Sequence, residues 1–159
     1  MKTIEYGRWT ISCDAHATAQ AYAAVSIGAA EECGCDPYLN FAAQKSDLYP
    51  PEVLSLFGEL GIDRDREVEV YHMARMSSGR YLYGGWFHFV GSIVSGADAA
   101  KQITDNLWQP DLVKASENFS LGFTSIVHLR RKSFENLSLT QLEFTTEIPW
   151  VTQKIKEPQ

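Results

Sequence analysis

The chain has 159 residues, 45% hydrophobic and 21% charged, which fits a single globular domain whose core needs no disulfide framework. Lys and Arg number 14 against 20 Asp and Glu, a formal charge of −6 that repels phosphate backbones and argues against nucleic acid as a partner. No run approaches the roughly 18 apolar residues of a membrane span, so no membrane partner is expected.

The first segment, "MKTIEYGRWTISC", carries Glu5 and Arg8 where a signal peptide would have an unbroken apolar core. With only 3 cysteines, this points to a reducing, cytoplasmic setting. Residues 4–12 predict a strand with Trp9 and Ile11 on one face. Asp14 is placed to cap a helix over "AHATAQAYAAVSI", with Ala19, Tyr22, Ala23 and Ser26 on one face and Gly28 as its stop. A second helix is predicted from Asp36 as N-cap and Pro37 at the first helical position, with Leu39, Ala42 and Ala43 inward. A third runs from Pro51 to Gly61, its inward face Val53, Leu56, Phe57 and Leu60.

From Glu67 the hydrophobic period becomes two. "EVEVYHMARM" and "YLYGGWFHFVGSIV" flank the turn "SSGR" and predict a β-hairpin, with Val68, Val70, His72, Ala74 and Met76 on one face. Residues 95–118 lack periodicity and predict a long connection with one short helix over "DAAKQITDNL". Two more strands are predicted, "FSLGFTSIVHL" with Phe119, Leu121, Phe123, Val127 and Leu129 in phase, and "LSLTQLEFTTEI". The sum is an α+β domain over residues 1–153. An N-terminal strand and three helices pack on one face of a mostly antiparallel sheet built from the two later hairpins. A flexible polar tail is expected at 154–159.

Three readings compete for "EECGCDPYLNF". Cys13, His16, Cys33 and Cys35 offer four soft or borderline ligands, enough for a tetrahedral zinc site, although Cys13 is expected to point outward or into the helix cap. Alternatively Cys33 and Cys35 form a redox dithiol, opposed by the nearby carboxylates Glu31, Glu32 and Asp36. The structural alternative is a tight corner turned at Gly34.

The hairpin supplies the preferred binding site. If it pairs across "SSG", His72 faces Gly84 and Gly85, whose missing side chains leave room for a ligand. Tyr83, Trp86 and His88 complete that candidate pocket, with a core histidine beside a bulge as the alternative. The aromatic strand also suggests a base-stacking platform, but only Arg80 stands near it. His128 falls opposite the Phe119 face and is expected to be exposed.

"CGCDPYLNF", "LYGGWFHFVG" and "IPWV" together resemble a group of small uncharacterised bacterial proteins. The pattern of that group is C-G-C-x-x-C-x-N-F. Cys33, Cys35, Asn40 and Phe41 match it, while Tyr38 stands at the third cysteine position and removes a ligand from any metal site there. The resemblance implies no activity.

The chain has no P-loop, dinucleotide-binding, nucleophile-elbow or zincin motif, so catalytic residues stay unassigned. The expected function is a non-catalytic cytoplasmic domain that binds a small molecule or a protein, without a cofactor. The alternative is a thiol- or zinc-dependent protein using the C-G-C segment. A sheet edge also gives such a fold a route to homo-oligomers.

Overall fold

The computed structural model describes residues 1–152, and the tail expected at 154–159 lies outside them. The chain is α+β, as expected. Its first strand is a hairpin, β1 (Lys2–Tyr6) and β2 (Trp9–Cys13), turning at Gly7 with φ +55°. Trp9, Ile11 and Cys13 are all buried. Cys13 lies two residues beyond Ile11 and shares its inward face, because alternate residues of a strand point the same way. It does not point outward.

Asp14 caps α1 (Ala15–Ala23), its Oδ1 accepting the Ala17 N–H at 2.9 Å. This helix stops short of Gly28 and buries Thr18, Ala21 and Tyr22, while the expected contacts Ala19, Ala23 and Ser26 are exposed. Gly28 instead opens α2 (Ala29–Cys33), where a Cβ would stand 2.6 Å from the Asp65 carbonyl. α3 (Asp36–Ala42) has Cys35 as N-cap and Pro37 in its first turn, one residue off the expected start. It buries Asn40 and Phe41 and leaves Leu39 exposed. A single turn, α4 (Lys45–Leu48), leads to α5 (Pro51–Leu60). There Val53, Leu56, Phe57 and Leu60 are buried and Gly61 closes the helix at φ +78°, as read from the sequence.

The remaining strands are β3 (Glu69–Arg75), β4 (Tyr81–Ser95), β5 (Ala100–Thr104), β6 (Leu107–Pro110), β7 (Val113–Ser116), β8 (Phe119–Thr124) and β9 (Leu139–Ile148). The main sheet runs β1-β2-β4-β9-β8-β7 with every pair antiparallel, and β3 also pairs with β4. β5 and β6 form a separate two-stranded sheet in place of the expected helix. Asp105-Asn106 makes its two-residue turn, with Thr104 opposite Leu107. β8 ends at Thr124, so Val127 and Leu129 do not continue its inward row.

The inner face of the sheet is an aromatic core under α3, α5 and Tyr49. Phe57 and Phe87 lie 4.8 Å apart, Phe119 stacks on Phe144 at 5.5 Å, and Tyr49 meets all four rings edge-on. One edge of β4 is shared: β3 pairs with Tyr81–Trp86 and β2 with Gly91–Ser95. The notch between them is closed by α1. Val90 N–H donates to Thr18 Oγ1 at 2.9 Å, and the Tyr22 hydroxyl occupies the backbone of His88. Among the described residues no helix is long and apolar enough to cross a membrane.

Candidate functional site

The six hairpin residues singled out in the sequence divide between the two faces of the sheet. On the inner face, Tyr83 donates its hydroxyl proton to the Pro37 carbonyl at 2.8 Å, and Phe144 and the Glu69 carbonyl fill the space at Gly85. His72 pairs with Tyr83, not with the glycines, and packs between the rings of Tyr81 and Tyr83 at 5.6 and 5.3 Å. On the outer face, Tyr71 lies over Gly84, and His88 is fully buried. The space left by the two glycines is therefore taken by Tyr71 and Phe144. Of the six, Trp86 borders an open cleft.

Cys13, His16, Cys33 and Cys35 do not converge. No group of three or more His, Cys, Asp or Glu side chains among the described residues could hold a metal ion. The Cys13 thiol is buried and directed at the Glu59 carbonyl at 3.8 Å, while Cys33 and Cys35 are exposed.

The cleft that Trp86 borders measures about 620 Å³ and lies between the outer face of the sheet, the β5–β6 hairpin and the segment after β8. Tyr71, Trp86 and Glu143 form its floor, Trp108 and Pro110 one wall, and Ile126, His128 and Leu129 the other. Antiparallel register builds the floor: Tyr71 opposes Gly84, and Trp86 opposes both Glu69 and Glu143. The Tyr71 and Trp86 rings lie 6.1 Å apart. Asp98 fixes the base of the hairpin, one carboxylate oxygen accepting from Ala100 N–H at 2.8 Å and the other from Ser125 N–H at 2.9 Å.

A polar relay runs beneath this floor. Gln141 Nε2 donates to Glu143 Oε1 at 2.8 Å, and Gln141 Oε1 accepts the His128 N–H at 2.9 Å. That oxygen also lies 3.1 Å from His88 Nε2, so His88 carries its proton on Nε2. Burial lowers the His88 pKa to about 4 and keeps the ring neutral. Burial also raises the Glu143 carboxyl above its ordinary range, against the opposing pull of Gln141 and His128. The Tyr71 phenol is raised by burial and by the charges of Glu143 and Glu69.

The rim shows backbone strain. Leu129 adopts φ +56°, a left-handed conformation that costs a bulky residue roughly 1–2 kcal/mol, and its side chain is 63% exposed. Trp86 Nε1 holds this segment by donating to the His128 carbonyl at 3.2 Å. The arrangement offers aromatic faces, a partly desolvated carboxylate and an imidazole within one cleft.

Tyr71, Trp108, His128 and Glu143 escape a reading based on local pattern. Tyr71 reads as the solvated side of an alternating strand, and Trp108 falls in the aperiodic stretch. The signal for Tyr71 is the register that sets it over Gly84. The comparisons add no relatives: no family model, no curated protein and no solved structure matches this chain.

Proposed function

We propose that this is a non-catalytic cytoplasmic domain that binds a small organic molecule, an aromatic or alkyl amine, in the cleft between the sheet and the β5–β6 hairpin. The observation that carries this reading is that Tyr71, Trp86, Trp108 and Glu143 line one cleft. Aromatic faces attract ammonium groups through their quadrupoles, and a carboxylate in a partly dry site supplies the matching charge. The strained, exposed Leu129 at the rim supports it, since strain collects at ligand clamps. A two-stranded hairpin is marginal alone, and this one is held at its base by Asp98, so it is suited to move over a ligand. The cytoplasmic assignment rests on three free cysteines.

Tryptophan emission and backbone-amide NMR shifts test the proposal, with benzylamine and phenethylamine as probes. Saturable quenching is expected, weakened about tenfold or more by Trp108→Ala and by Glu143→Gln. Amide shifts confined to residues away from the cleft, or equal affinity in both variants, would overturn it. A second reading, a protein partner, is favoured by the exposed Ile103, Leu107 and Trp108 on the same hairpin. Under that reading the amines leave the emission unchanged.

A further inference from the structure

We infer that Cys33 and Cys35 form a thiol–disulfide exchange site that reduces small disulfides and closes into an intramolecular disulfide. Two observations carry this, both independent of the ligand cleft. The two Sγ atoms lie 2.7 Å apart, and both residues are exposed at the corner between α2 and α3. Gly34, at φ +66°, turns the backbone so that the side chains meet. The third cysteine is sealed in the core at 0% exposure and does not compete.

Two of the three carboxylates that oppose a thiolate here are ion-paired, Glu31 through a lysine it shares with Glu67, while Asp36 still opposes it. Glu31 pairs with Lys45 at 2.7 Å, and Glu32 pairs with Arg131 at 3.2 Å. Cys33 lines a groove that Arg130 and Arg131 also line. The Cys35 thiol donates to Cys33 Sγ, and this hydrogen bond raises Cys35, with burial and the charges of Cys33 and Asp36 adding to it. Cys33, the thiol that lines this groove, is assigned as the nucleophile and Cys35 as the resolving thiol.

The exchange has two steps. The Cys33 thiolate attacks one sulfur of the small disulfide RS–SR. That bond breaks, and RS⁻ leaves with the electron pair, giving Cys33–S–SR. Cys35 then loses its proton and attacks Cys33 Sγ, expelling the second RS⁻. The two protein thiols are oxidised by two electrons, the small disulfide is reduced to two thiols, and the two thiol protons end on the leaving groups.

Glutathione disulfide is the probe. The full chain is equilibrated with mixtures of glutathione and glutathione disulfide, quenched under denaturing conditions with an alkylating agent and mapped by peptide mass. The expected result is a peptide lacking two hydrogens, with Cys33 and Cys35 protected together and Cys13 alkylated. Cys35→Ser should accumulate a glutathione adduct on Cys33 that dithiothreitol releases, and Cys33→Ser should accumulate less on Cys35. Both side chains are exposed, so these variants should keep the wild-type circular dichroism spectrum. Full alkylation of both cysteines in excess glutathione disulfide, two stable glutathione adducts on one chain, or only interchain disulfides would overturn the inference.

Discussion

The Tyr22 hydroxyl satisfies both backbone groups of His88, accepting its N–H at 3.1 Å and donating to its carbonyl at 2.8 Å. A strand would normally make these bonds, but β3 and β2 leave the edge of β4 open at this point. α1 takes over with side chains: Thr18 accepts from Val90 N–H, and the Asp14 N–H donates to the Val90 carbonyl at 2.9 Å. This explains why α1 turns Thr18 and Tyr22 inward beside Ala21, and leaves Ala19 and Ala23 exposed.

Tyr22→Phe keeps the ring against Phe134 and removes only the hydroxyl. It strands two buried backbone groups, each costing about 1–3 kcal/mol. A stability loss of about 2 kcal/mol or more is expected in urea unfolding with an unchanged slope, together with faster hydrogen exchange at the His88 amide. A loss below about 0.5 kcal/mol, the scale of a neutral surface change, contradicts the role.

His88 makes stability depend on pH. Its folded pKa of about 4 lies below the ordinary 6.5, so between these values the unfolded chain binds the extra proton. Its stabilising contribution is complete above pH 6.5 and falls away as the pH drops toward 4, by about 3 kcal/mol in all. His88→Gln retains a donor toward Gln141 and cannot titrate. The wild-type advantage over this variant should shrink from pH 7 to pH 4 in denaturant midpoints. Glu67 and Glu143, which burial shifts the opposite way, are common to both proteins and largely cancel. A constant difference across that range rejects the assignment.

Lys45 holds a buried charge in place. Its Nζ lies 2.7 Å from Glu31 Oε2 and 2.7 Å from Glu67 Oε2, and Glu67 is fully buried. Lys45→Met leaves that carboxylate unpaired and should cost about 3–5 kcal/mol near neutral pH. Burial raises the Glu67 carboxyl even with Lys45 present, so without the lysine it protonates more readily still. The loss should therefore be smaller at pH 5 than at pH 7, and Lys45→Met/Glu67→Gln should recover part of it. Equal losses at both pH values, or no recovery in the double variant, would count against this account.

Local pattern recovered what local physics decides. Pro51 and Gly61 bracket α5, Asp14 caps α1, and period two reveals the β3–β4 hairpin. The face of α3 was not legible because Asn40 is fixed from far along the chain, donating to the Pro149 carbonyl at 3.1 Å and accepting Val151 N–H at 2.9 Å. The cleft was hidden for a similar reason. Tyr71, Trp108, His128 and Glu143 come from four separate segments, and only sheet register and the departure of the chain after Thr124 bring them together.

Gly84 and Gly85 separate cleft from core in one experiment. A Cβ at Gly84 would stand 2.4 Å from Tyr71 Cζ and 2.5 Å from its hydroxyl oxygen. That is the far end of a side chain, so Tyr71 can swing aside and leave its place beside Trp86. Gly84→Ala should cost about 1 kcal/mol of stability and about tenfold in affinity for the aromatic amines, with a shift in tryptophan emission. At Gly85 the Cβ would meet the Glu69 carbonyl at 2.5 Å and Phe144 Cζ at 2.7 Å, a backbone atom and a core ring that cannot give way cheaply. Gly85→Ala should lose about 3 kcal/mol or more and change amine affinity little while folded. If Gly84→Ala leaves amine binding intact and Gly85→Ala abolishes it in the folded protein, the ligand lies on the inner face, beside His72 and Tyr83.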